Sequence, residues 1–284
     1  MTQAGPAPAD EPARAAARRP QIAMARRKPL PEWLLTLLWQ VALVAAALAL
    51  WQLASTQGWG MKVVVQSPAA VAGAFRKLAL QGELWPNYWA TLVATLYGLA
   101  LAVAIGLPIG LVLGLLTRVQ RVLAPFLSAI NAMPRIALAP VFIVVFGVDT
   151  GAKVALAVSL VVFIMILNGI AGVAAADSEA VRMMTTLGAS RRQTLLKVML
   201  PAAMPSILAG FRLGLIYSLL GVIASELIAS KDGLGQLIAR SAGVFDLATV
   251  YAILFLLMLT AACFNTLSEF AERWLLRWQP PSVH

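Results

Sequence analysis

Six stretches of this sequence are each twenty or more residues long and dominated by apolar side chains: 33–55, 88–116, 122–146, 154–173, 202–228 and 247–267. The hydrocarbon core of a bilayer is about 30 Å thick, a distance that ~20 helical residues span. Inside lipid every backbone N–H and C=O needs a partner within the protein, which leaves helices or closed barrels. Uninterrupted apolar runs of this length lack the period-two alternation of a barrel strand. The sequence therefore predicts an all-α membrane protein with about six transmembrane helices. Composition agrees: 12% of residues are charged and mean hydropathy is +0.84, where a soluble domain carries about a quarter charged residues.

Segments between the runs set the organisation. Residues 1–31 are rich in Ala, Pro and Arg and read as a disordered basic tail. The span-bearing domain is 32–278, and 279–284 is a short C-terminal tail. Trp33, Trp39 and Trp51 are interfacial anchors for the first run. That run is longer than the 7–15 apolar residues of a signal peptide, the rival reading of its basic approach. Ser67-Pro68 is a cap and first-turn pair for an amphipathic helix over 69–80, suited to lying on the membrane surface, with Arg76 and Lys77 on its polar side. Pro134 and Pro140 interrupt the third run and predict a kink.

The net charge of +10 bears on orientation rather than on nucleic acid, because the cations lie between apolar runs. With the N-terminus inside, fourteen Lys and Arg fall in inner segments. Six fall in outer ones: Lys62, Arg76, Lys77, Lys153, Lys231 and Arg240. This bias predicts a multi-pass membrane protein with both termini cytoplasmic.

Several chemistries are excluded. The one histidine is His284, so neither a His-based triad nor an HExxH zinc site can form. No lysine precedes Ser or Thr, so a Walker A loop is missing. Cys263 has no partner for a disulfide and reads as a small core residue. No catalytic residue and no metal site is assigned.

The polar segment 177–200 is the most informative. Asp177 and Ser178 suit a helix N-cap, and Asp177 and Glu179 place negative charge at the helix start. Gly188 is a natural residue for a left-handed helix end, and Ser190 with Gln193 forms a capping box for a second helix, closed by Leu200-Pro201. The local chemistry writes helix, glycine corner, helix, with Met183, Met184 and Leu187 exposed beside Arg182 as a partner surface. The alternative is an amphipathic linker resting on the bilayer.

With Gly188 followed ten residues later by Val198 and thirteen later by Pro201, the segment resembles the coupling loop of permease subunits of binding-protein-dependent ABC importers. The wider chain, over about 67–278, is similar to the nitrate/sulfonate/taurine branch. The similarity includes Ser67-Pro68, Met133-Pro134-Arg135, Phe146-Gly147, Leu187-Gly188-Ala189-Ser190, Leu200-Pro201-Ala202-Ala203, Gly221 to Glu226, and Gly233-Leu234-Gly235. One part departs: the family's Glu-Ala-Ala, six residues before the glycine, is here Arg182-Met183-Met184, and Glu179 lies nine before it. The resemblance implies a type I importer built from two permease copies, two ATPase subunits and a periplasmic or extracellular solute-binding protein. It places ATP and Mg in the ATPase and no cofactor in this chain. It also assigns ATPase coupling to Glu179, Arg182, Met183, Met184, Leu187, Gly188, Ala189, Ser190, Leu200 and Pro201.

Polar groups within the spans are costly and point to the solute path. The candidates are Asn131, Arg135, Asn168, Arg212 and Glu226, with Arg135 favouring an anion such as a sulfonate, taurine or nitrate. Each has a structural reading beside it: Arg135 snorkels or pairs, and Glu226 locks to Lys231, Arg240 or a helix terminus. Small residues at every fourth place in the second run (Gly98, Ala102, Gly106, Gly110, Gly114) and fifth run (Ser206, Gly210, Gly214, Ser218) suit close helix packing. A secondary transporter or channel without an ATPase is the alternative class; it would show internal repeats, and none is evident.

Overall fold

The computed structural model describes residues 32–57 and 66–277. The tails at 1–31 and 279–284 and the side chain of Trp33 lie outside the described residues. Helix α1 (Glu32–Gln57) carries an apolar stretch over Leu34–Gln57 long enough to cross a bilayer, and the boundary between two compact units of the chain falls within it, after Leu50.

The second unit holds the other elements. These are α2 (Pro68–Leu80), α3 (Leu84–Leu115), α4 (Thr117–Ala132), a 3-10 turn (Arg135–Leu138), α5 (Ala139–Phe146) and α6 (Thr150–Ala174). They continue with α7 (Ser178–Thr186), α8 (Arg191–Thr194), a π turn (Leu195–Met199), α9 (Leu200–Ile228), α10 (Leu234–Gly243) and α11 (Leu247–Leu275). Among the described residues five helices can span a bilayer. A sixth span arises if α4 and the segment Arg135–Phe146 are counted together. These two are bent by 74° at the break, a sharper feature than the kink expected from Pro134. Pro140 does not contribute to it, because it sits in the first turn of α5, where a proline's missing N–H costs nothing.

Helices α3, α6 and α9 make the central packing. A Cβ on Gly110 would strike the Ile166 carbonyl, and one on Gly169 would lie 3.0 Å from Gly110. The α3 and α6 backbones therefore touch, giving the van der Waals contact that lipid leaves as the main packing force. Gly98, Gly106 and Gly114 meet α6 as well, while Gly210 and Gly214 of α9 also meet it. Both small-residue stripes are thus occupied inside the chain.

A second cluster joins Leu78 of α2, Leu234 and Leu237 of α10 and Ile253 and Leu257 of α11. The Ser67 hydroxyl accepts from the Ala70 amide, so the predicted cap forms, with Pro68 in the first turn. Helix α2 packs on α11 rather than lying on the membrane surface alone.

Two further expectations change. Leu200-Pro201 does not close the second helix of the loop. The Leu200 amide bonds to the Leu195 carbonyl five residues back, and this π turn accommodates Pro201 as the chain runs straight into α9. Cys263 is exposed on α11 rather than a core residue.

Candidate functional site

Three of the five polar candidates converge. Asn131, Arg135 and Asn168 line a cavity of about 450 Å³ with Tyr217, Leu160 and Leu213. Arg135 opens the 3-10 turn just after the 74° break and is buried. Its Nη1 donates to the carbonyls of Ser159 (2.7 Å) and Leu160 (3.2 Å) on α6. Its Nη2 donates to Ile130 O (3.3 Å) and Asn131 Oδ1 (3.1 Å), and the guanidinium lies 4.1 Å from the Phe163 ring centre. Four of its five N–H groups thus tie the end of α4 to α6. Among the described residues no carboxylate pairs with it. The cavity carries a fixed positive charge that no carboxylate of the described residues pairs with. The Asn168 amide donates to the Ile164 carbonyl at 2.8 Å.

Arg212 and Glu226 do not line this cavity. Arg212 sits on α9 with its Nη1 3.7 Å from Glu269 and 3.8 Å from Glu272 of α11. Glu269 and Glu272 lie near the end of α11, which runs to Leu275.

Glu226 is a lock, as its structural reading held, yet its cation is Lys153 rather than Lys231 or Arg240. The Lys153 ammonium lies 3.1 Å from Glu226 Oε1, with both side chains buried. It also bonds the Asp232 carbonyl at 2.8 Å and pairs with the Asp232 carboxylate. Glu226 Oε2 accepts from the Gly235 amide at 2.9 Å. The Thr91 hydroxyl donates to the carboxylate at 2.9 Å and accepts from the Leu234 amide at 2.8 Å, while Asn87 Oδ1 accepts from the Gly233 amide at 2.7 Å. Three side chains from α3 and α9 thereby satisfy the free amides at the start of α10. Gly233, at φ +112°, allows this approach, since a Cβ there would collide with the Glu226 carboxylate. Lys153 is therefore part of the buried packing and not one of the exposed outer cations. Its signal in the sequence is weak: one cation early in the fourth run, one anion late in the fifth. Lys231 pairs instead with Asp149 at 2.8 Å, a hydrogen bond that raises the ammonium's pKa, and Arg240 pairs with Glu83.

Segment 177–200 is a knob. Asp177 caps α7 by accepting from the Glu179 amide at 2.8 Å. Gly188 has φ +74° and its amide donates to Thr185 O, while Ala189 N donates to Met184 O, both at 3.0 Å. This is a Schellman helix end. Both bonds of the Ser190–Gln193 capping box form. Arg182, Met183 (60% exposed) and Leu187 (75% exposed) face out; Met184 is half-buried, contrary to its expected exposure. Glu179 and Ser190 are exposed, and Ala189, Leu200 and Pro201 are half-buried.

Residues 106–279 match the family described as binding-protein-dependent transport system inner membrane component. The chain belongs to this family. It is a multi-pass inner-membrane permease subunit, not itself an enzyme, and its helices form the translocation path of a binding-protein-dependent transporter. Its relatives include the riboflavin transport system permease RibX of Chloroflexus aurantiacus, 34% identical over 82% of this chain and 87% of that one. The aliphatic sulfonates transport permease SsuC of Escherichia coli, named as putative, is 34% identical over 89% and 95%. The fold matches a chain of the inward-facing MetNI methionine ABC transporter with TM-score 0.62 at 18% identity, covering 69% of this permease and 98% of that chain.

Proposed function

We propose that this permease works as a homodimer bearing two ATPase subunits and imports a small organic anion delivered by an external binding protein. ATP and Mg act in the ATPase, and no cofactor resides in this chain. The observation that carries the anionic substrate is Arg135: a buried guanidinium beside the cavity with no counter-carboxylate among the described residues. A solute's negative charge would supply that balance. Aliphatic sulfonates are the first class to test, in keeping with the name of one relative.

In this reading the knob is the contact with the ATPase, with Met183 and Leu187 as its apolar surface and Arg182, where the family has Glu, as a charge matched by the partner. Ala189, Ser190, Leu200 and Pro201 hold the corner and pass its motion into α9. Homodimer formation draws support from the family resemblance alone, because the small-residue stripes are occupied within one chain.

The decisive experiment is reconstitution of permease, ATPase and binding protein in vesicles, with a ligand screen of the binding protein. Arg135→Gln should lower uptake of an aliphatic sulfonate at least tenfold. A binding protein selective for neutral solutes would sink the anion reading. Reporter fusions after Gly58 and after Arg192 should report opposite sides of the membrane, with Arg192 cytoplasmic.

A further inference from the structure

A second cavity, of about 760 Å³, lies between the end of α3 and the knob. One wall is aliphatic: Val112, Leu115 and Leu116, all exposed. The other carries Arg191 and Arg192, exposed at the start of α8. No acidic side chain lines the cavity. Among the described residues neither arginine forms an ion pair, nor do Arg118 and Arg121, which follow on the first two turns of α4. Arg191 and Arg192 thus stand in the cavity, and Arg118 and Arg121 follow the same span end, with no ion-pair partner among the described residues.

Helix α7 gives the cavity its direction. Val181 and Thr185, four residues apart, line it. Met183 and Leu187, also four apart, point outward from the knob. Two residues along a helix rotate by about 200°, so these pairs occupy opposite faces. One face of the knob is open to a water-soluble partner. The other looks back toward the end of α3, where an apolar span stops.

We propose that this cavity holds an anionic phospholipid. Its phosphate would sit on Arg191 and Arg192, and its acyl chains along Val112, Leu115 and Leu116. Arginine suits the phosphate because its planar fork donates two hydrogen bonds at once, and basic pockets beside span ends are recognised lipid sites. The inference rests on the importer reading in one respect only, that the ATPase takes the Met183–Leu187 face.

The test is retention of lipid by the full chain, purified with and without its ATPase and transferred to phosphatidylcholine nanodiscs. Added phosphatidylglycerol should bind at one molecule per chain by native mass spectrometry and raise the melting temperature. Inorganic phosphate at equal concentration should do neither. Arg191→Gln together with Arg192→Gln should weaken phosphatidylglycerol binding at least tenfold. Both side chains lie outside the Ser190–Gln193 capping box, so the knob keeps its fold. Arg191→Lys with Arg192→Lys should retain most binding. Equal retention of phosphatidylcholine, an equal shift with inorganic phosphate, or undiminished binding in a Gln double variant that melts like wild type would each overturn the site. Loss of the bound lipid on adding the ATPase would also overturn it and assign the cavity to that protein. Failure of the ATPase to bind at all would count against the importer reading and leave the lipid result to stand by itself.

Discussion

Helices α7 and α10 end in the same hydrogen-bonded corner, with different residues at its critical place. In α7 the left-handed position is Gly188 at φ +74°, closed by Ala189 N to Met184 O. In α10 it is Phe245 at φ +58°, closed by Asp246 N to Ser241 O at 2.9 Å and Phe245 N to Ala242 O at 3.1 Å. A left-handed non-glycine residue costs roughly 1–2 kcal/mol. Helix α10 tolerates that cost because much else holds it: Leu234, Leu237 and Ile238 are buried, and Glu226, Thr91 and Asn87 take its first amides. Helix α7 buries no residue. Its corner is specified by local backbone chemistry alone, and there the residue is glycine. The α10 end is over-determined by tertiary contacts, and the knob is set by its caps.

The largest expected effect comes from breaking the over-determined end. Glu226→Ala would leave the Lys153 ammonium buried beside one half-exposed carboxylate, a loss of about 3–5 kcal/mol and a correspondingly lower melting temperature in detergent. Lys153→Met combined with Glu226→Leu should recover much of it, since a buried pair replaced by apolar groups of similar volume is often neutral. A double variant no better than the single one would show that the amides of α10 depend on the carboxylate more than on charge balance.

Gly188→Val comes next. It forces a β-branched residue into the left-handed region at a local cost of about 1–2 kcal/mol. Insertion and the melting of the spans should change little, while ATPase co-purification or coupled transport is lost. Wild-type binding and transport in this variant would remove the coupling role from the knob. Ser190→Ala should be milder, about 1 kcal/mol of helix capping, visible as reduced coupling with the ATPase still bound.

The smallest effect sharpens the comparison by its sign. Phe245→Gly should stabilise the protein by well under 1 kcal/mol, because relief of the left-handed strain is partly offset by glycine's greater freedom when unfolded. A lower melting temperature instead would mean that the Phe245 side chain makes a contact worth more than the strain.

What could be read without coordinates was whatever depends on near neighbours in the chain. Apolar run length marked the spans, cap chemistry at Ser67 marked the start of α2, and that at Asp177, Gly188, Ser190 and Gln193 marked the knob, because these bonds join residues within six places of one another. Tertiary structure alone decided which charges meet. Lys153 and Glu226 are 73 residues apart and pair because glycine contacts bring α3, α6 and α9 together, while Lys231 and Arg240, nearer in sequence, find Asp149 and Glu83. The same holds for the cavity: Asn131 and Arg135 share a turn with Pro134, but their meeting with Asn168 depends on a 74° bend that proline permits without fixing its angle. In the bent form the Arg135 guanidinium meets carbonyl partners on α6, a match of positions in space that linear spacing does not encode.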